Sequence, residues 1–141
     1  MQWITDNIAI GSRSDLKHID LDEFDAVLSL DSTTRNNIPK YWNGHYKSVY
    51  IPDSGNVEAE TIREALEFLD RFDDGGQIFV HCKMGRSRSV SIVATHLWKE
   101  AKLLLMNHSD SLDYIEKRVR KSKITKSFKK KLLEFSSKGL L

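Results

Sequence analysis

One stretch limits what this chain can fold into. After Gly75-Gly76 comes a short apolar run, Gln77-Ile78-Phe79-Val80, and then the loop His81-Cys82-Lys83-Met84-Gly85-Arg86-Ser87-Arg88-Ser89. Apolar residues at helical spacing follow from Val90 to Trp98. The pattern predicts a buried strand, entered from a turn, that feeds through a tight loop into a helix. Amides of a loop that opens a helix have no partners within it, so with the helix dipole they form a cradle for a tetrahedral anion. Arg88 can set its planar fork against two phosphate oxygens while the sulfur of Cys82 lies at the bottom of the cradle.

The same positive field acts on Cys82. Thiolate is the reactive form of cysteine, and a helix N-terminus flanked by arginines favours it. A nucleophile under a cradle made by Lys83, Met84, Gly85, Arg86, Ser87 and Arg88 points to attack on phosphorus. Ser89 is placed to donate its hydroxyl to the departing sulfur in the second half of such a reaction. Ester leaving groups such as serine alkoxide also require a proton donor. Asp53, in the first loop after a predicted strand, meets that need, and Asp31, beyond another strand, is the second candidate. Asp53 also fits the start of a turn. His81 fits either a general base or, at the end of a buried strand, a structural role.

Along the chain, Trp3-Ile4 and Ile8-Ala9-Ile10 flank the turn pair Asp6-Asn7 and predict two short strands. Ser14 or Asp15 caps a short helix through His18, and Leu21 to Phe24 forms another helical turn. Asp25 to Leu30 reads as a buried central strand. Its polar continuation includes Arg35, which reads equally as a substrate contact or a solvated loop residue. Tyr46 to Ile51 is rich in strand formers and stops at Pro52. Val57 to Phe72 predicts a helix capped by Asn56, with Ile62, Ala65, Leu66 and Leu69 on its apolar face. The helix after the cradle runs from Arg88 to about Leu105, burying Ile92, Val93, Leu97, Ala101 and Leu104. Asn107-His108-Ser109 breaks it. Leu112, Ile115 and Val119 mark another helix, and Phe128 to Phe135 a last one capped by Thr125 or Ser127. The fold class that follows is α/β, a central mixed sheet of about four to five strands flanked by helices.

The length suits a single domain over residues 1–141. Net charge is only +2, so no strong field argues for nucleic acid or membrane as a partner. Basic residues nevertheless crowd toward the C-terminus, where Lys121, Lys123, Lys126, Lys129, Lys130 and Lys131 read either as a solvated helix face or as a site for an anionic partner. No signal peptide or membrane-spanning run is visible, and one cysteine cannot form an internal disulfide. These features lead us to expect a soluble, cytoplasmic monomer. His18, His45, His96 and His108 lack metal-site spacing, so neither metal nor cofactor is expected.

The loop resembles the H-C-x5-R-S signature of the protein tyrosine phosphatase superfamily, in particular its small dual-specificity branch. Asn7 to Ser12 is similar to that branch's opening strand and glycine-serine turn, and Leu112 to Ile115 with Arg118 and Phe128 to Phe135 resembles its closing helices. The resemblance implies a dual-specificity phosphatase fold with Cys82 as nucleophile and Arg88 as phosphate clamp. It implies Asp53 as general acid, since Tyr50-Ile51-Pro52-Asp53 is similar to the family's acid loop. It gives His81 a supporting role through a hydrogen bond to backbone near the cysteine. Phosphoproteins carrying phosphotyrosine, phosphoserine or phosphothreonine are the implied substrates, hydrolysed without metal.

Two other functions compete. Lys83 and Arg86 occupy positions that are both lysine in one class of lipid phosphatases, so the same chemistry on a phosphoinositide or an RNA 5′-phosphate is the alternative. A non-catalytic phosphate-binding module is disfavoured because Cys82, Arg88, Ser89 and Asp53 are all present. A P-loop nucleotide hydrolase is excluded, since Gly85-Arg86-Ser87 lacks its lysine-serine pair.

Overall fold

The computed structural model describes every residue except 101 and 104. Strands β1 (Gln2–Trp3), β2 (Ile8–Ser12), β3 (Ala26–Ser29), β4 (His45–Ser48) and β5 (Ile78–Cys82) form one sheet in the order β1-β2-β5-β3-β4. The hairpin between β1 and β2 is antiparallel and the other pairings are parallel, so the sheet is mixed, as expected. β5 lies at its centre, with Ser12 of β2 level with Cys82 and Ser29 of β3 level with His81. The four parallel strands therefore end at one edge, and the loops beyond Ser12, Ser29, Ser48 and Cys82 converge there.

Alternation along the strands sorts the core into two layers. Ile8, Ile10, Ala26, Leu28, Ile78, Val80 and Cys82 point to one face, where α2 (Ala59–Phe72), α3 (Arg88–Lys99), α4 (His108–Arg118) and α5 (Lys126–Ser137) cover them. Ala9, Val27 and Phe79 point to the other face, against Leu16, Leu21, Phe24, Ile38 and Trp42. A strand buried on both faces is why β5 reads as an unbroken apolar run.

Several boundaries differ from the sequence reading, each for a local reason. The short helix α1 (Arg13–Leu16) is capped by Ser12, with Asp15 closing a capping box, rather than by Ser14 or Asp15. β4 stops at Ser48; beyond it only the Val49 and Ile51 amides reach back, to the Ser29 and Leu30 carbonyls. α2 starts at Ala59 and not Val57, because the Asn56 side chain is taken by the Lys131 ammonium. α3 stops at Lys99, short of Leu105, and the expected core residues Ala101 and Leu104 lie outside the described residues. Asn107 does not only end a helix: its side chain accepts from the Asp110 amide and starts α4. Thr125 stands at the N-cap of α5, but its hydroxyl has no partner there. Among the described residues, no helix is long and apolar enough to cross a membrane.

His108 pins the helical layer together. Its ring lies between the Thr95 hydroxyl (2.8 Å) and the Ser136 hydroxyl (2.7 Å) and stacks on Trp98 at 4.4 Å. Burial pushes its pKa down from 6.5 to about 4. The unfolded chain therefore takes up a proton between those values that the folded chain refuses. The stabilisation is complete above pH 6.5 and is lost as the pH falls toward 4, on the order of 3 kcal/mol. Urea unfolding from pH 7.5 to 4 is expected to show this fall, and His108→Gln to flatten it; an equally steep fall in the variant would exclude His108 as the source.

Candidate active site

The loop after β5 closes on itself around the Cys82 sulfur. Cys82 is 2% exposed, at the floor rather than the rim, while Lys83, Met84 and Arg86 above it are exposed. The Gly85 amide points at the sulfur from 3.2 Å, and the Ser89 hydroxyl lies 3.4 Å from it. Among the described residues, no carbonyl accepts from the amides of Met84, Arg86, Ser87 or Arg88. Loop amides that no protein carbonyl takes, next to one already directed at a sulfur, are available to an anion.

Neighbouring elements hold this ring open. Gly85 has φ +70°, and a Cβ there would stand 2.7 Å from the Gly11 carbonyl carbon, so only glycine permits the loop to lie against the end of β2. The Arg13 amide donates to the Lys83 carbonyl at 3.1 Å. Ser87 occupies the N-cap of α3 without capping it: its hydroxyl accepts from the Thr125 amide at 3.2 Å. The first-turn amides of α3 are thereby left for an anion.

Arg88 is 6% exposed and donates to the Ile51 carbonyl at 2.8 Å, which ties the cysteine loop to the loop carrying Asp53. The Asp53 carboxylate lies 3.7 Å from the Arg88 Nε, yet its side chain is 87% exposed. Cys82, Arg88, Ser89 and Asp53 are thus brought to one cleft.

Other candidates sit differently. Asp31 is 1% exposed and accepts from the Arg13 Nε and the Thr33 amide, both at 2.9 Å. Burial alone would raise its pKa, but the hydrogen bonds from Thr33, the neighbouring His81 and the hydrogen bond from Arg13 prevail and hold it below the ordinary carboxylate range. A carboxylate so confined is a poor proton donor. Arg35 bonds to the Ile38 and Trp42 carbonyls and so braces its own loop.

His81 faces the opposite side of the sheet from the sulfur. Its Nε2 is 2.5 Å from the Ser29 hydroxyl, which the Tyr46 hydroxyl meets at 2.7 Å. Its Nδ1 lies 3.4 Å from the Cys82 carbonyl and 3.8 Å from Asp31. Burial pushes the His81 pKa down despite that carboxylate, so the ring is neutral at neutral pH. Residue order alone does not show that Ser29 and Asp31 flank this histidine, with Tyr46 and Arg13 bonded behind them. Only the alternation of the strands hinted at it, by placing Val27 and Ser29 on the face shared with Phe79 and His81.

A groove of about 490 Å³ borders the loop and is lined by Ser12, Met84, Gly85, Val119 and Arg120, and a second of about 630 Å³ lies around α1, lined by Arg13, Leu16, Lys17, Thr33 and Tyr41.

A mixed sheet with a cysteine loop at the carboxyl edge of its parallel strands, a buried arginine and an amide turned on the sulfur is the architecture of a cysteine-based phosphate-binding protein. The chain belongs to the dual-specificity phosphatase family: the model of the dual specificity phosphatase catalytic domain matches residues 8–138. Mouse dual specificity protein phosphatase 1 is 32% identical over 108 residues, which cover 74% of this chain and 29% of that protein. The chain thus spans less than a third of the length of that relative. DUSP15 superposes with a TM-score of 0.79 at 23% identity, over 99% of this chain and 91% of that one. The Yvh1 phosphatase domain from Chaetomium thermophilum superposes with a TM-score of 0.72 at 20% identity, over 98% and 95%. These likenesses bear out the expected α/β fold.

Proposed function

We propose that residues 1–141 act as one catalytic domain, a metal-independent phosphatase that hydrolyses phosphotyrosine and phosphoserine or phosphothreonine in proteins through a phosphocysteine intermediate. The observation that carries this reading is the Gly85 amide directed at the Cys82 sulfur within a ring of unpartnered amides. In the first step the Cys82 thiolate attacks phosphorus and the ester P–O bond breaks. The Asp53 carboxylic acid gives its proton to the leaving oxygen, while Arg88 and the amides hold the phosphoryl oxygens. In the second step water attacks phosphorus and the P–S bond breaks. The Asp53 carboxylate takes the water proton and the Ser89 hydroxyl donates a hydrogen bond to the departing sulfur. Lys83, Met84, Gly85, Arg86 and Ser87 contribute the cradle, and His81 positions Cys82 from behind.

The test is turnover of a small aryl phosphate with a chelator present. The wild-type chain is expected to hydrolyse it undiminished, and phosphopeptides are expected to be better substrates than phosphoinositides. A requirement for a divalent ion would overturn the mechanism, and a preference for phosphoinositides would overturn the substrate class.

A further inference from the structure

The small net charge conceals a strong separation. Residues 117–141 carry ten lysines and arginines against one acidic residue, Glu134, whereas residues 1–116 carry twelve against nineteen. The fold lays this basic segment against the active-site loops. The Lys123 amide donates to the Arg86 carbonyl at 2.8 Å and the Thr125 amide to the Ser87 hydroxyl. The Ser127 hydroxyl donates to the Ser54 carbonyl at 3.1 Å, and the Phe128 side chain packs so closely under Gly55 that a Cβ there would be 2.6 Å away. The linker after α4 and the first turns of α5 therefore wall the cleft between the cysteine loop and the Asp53 loop.

Part of the charge is absorbed locally, Lys129 by Asp113 and Lys131 by the Asn56 side chain. Lys83, Arg86, Lys121, Lys123, Lys126 and Lys130 are exposed, and among the described residues none of them forms an ion pair. Lys83 and Arg86 belong to the cysteine loop and Lys123 is bonded to it, while Lys126 and Lys130 lie farther out on α5 beside Leu133 and Glu134. Unpaired charges of one sign that lead to a cleft attract the opposite charge and speed encounter. Apolar residues within Lys121–Lys130, namely Ile124 and Phe128, are buried, so this wall offers a bilayer nothing to insert and an RNA base no ring to stack on.

Resting on the phosphatase reading above, we propose that this wall selects phosphoprotein substrates whose phosphorylated residue is flanked by an acidic stretch. That stretch would run from the cysteine loop over the linker and along the first turns of α5.

The experiment compares two phosphotyrosine peptides, one with four flanking aspartates and one with four flanking serines, and a small aryl phosphate. At low salt kcat/KM is expected to favour the acidic peptide about tenfold. The preference is expected to shrink as salt screens the wall. The variant K123E/K126E/K130E is expected to abolish it while leaving aryl phosphate turnover unchanged, and the glutamine triple variant to weaken it. Equal turnover of the two peptides by the wild type, or a preference that survives the charge reversal, overturns the proposal. So does tighter binding of phosphatidylserine vesicles or RNA than of the acidic peptide through these lysines. A protein inactive on aryl phosphate would sink the phosphatase reading instead. In that case fluorescence anisotropy of the two peptides on the wild-type protein decides the wall separately, with equal binding counting against it.

Discussion

Replacing Cys82 by serine is expected to lower aryl phosphate turnover by roughly 10⁴-fold or more while the phosphate still binds. Binding and chemistry rest on different halves of the site. Binding comes from the amides of the ring and from Arg88, which is held by the Ile51 carbonyl and not by the sulfur. In the proposed mechanism chemistry comes from the sulfur of Cys82; a serine hydroxyl there is neutral and has no adjacent base, since His81 faces the other side of the sheet. The measurement is kcat alongside calorimetric titration of a phosphopeptide. Turnover within about a factor of ten of wild type would remove the cysteine from the mechanism.

Asp53→Asn is expected to lower kcat by about 10²- to 10³-fold with little change in KM. The loss should be greater for a phosphoserine peptide than for an activated aryl ester, because a good leaving group needs no proton. Exposure favours Asp53 here: its carboxylate is free to meet a leaving group above Arg88, whereas Asp31 is enclosed between Arg13 and Thr33. Asp31→Asn is expected to act mainly on stability, by leaving Arg13 without its charged partner. Steady-state kinetics and urea midpoints of both variants check this. If Asp31→Asn showed the kcat loss at unchanged stability, the two roles would have to be exchanged.

Those elements that were legible in the sequence are the ones whose signals are local. The strand, loop and helix from Gln77 to Trp98 carry their own apolar spacing, and the cysteine loop carries its chemistry in residue order. What escaped depends on contacts between distant segments. Val49 and Ile51 have strand propensity, yet β4 ends before them because the pairing with β3 runs out. Asn56 looks like a cap until Lys131, far along the chain, takes its side chain. Asn107 could end one helix or begin the next, and its residue type alone does not decide. The Arg13–Asp31 pair behind His81 joins the ends of two strands that only the sheet order brings together. The lysine run divides for the same reason: which lysines are paired and which stay free is set by where α5 docks.

The proposed mechanism stands or falls on the Cys82 sulfur carrying the phosphoryl group between the two steps. The most direct measurement is rapid denaturing quench of Ser89→Ala during turnover of an aryl phosphate, followed by peptide mass spectrometry. Without the hydroxyl that now lies 3.4 Å from the sulfur, departure of the thiolate is slowed and the intermediate should accumulate. The account predicts a burst of released phenol matched by a phosphoryl group on the peptide containing Cys82. Multiple turnovers with no phosphorylated cysteine, or with the label on another residue, would contradict it.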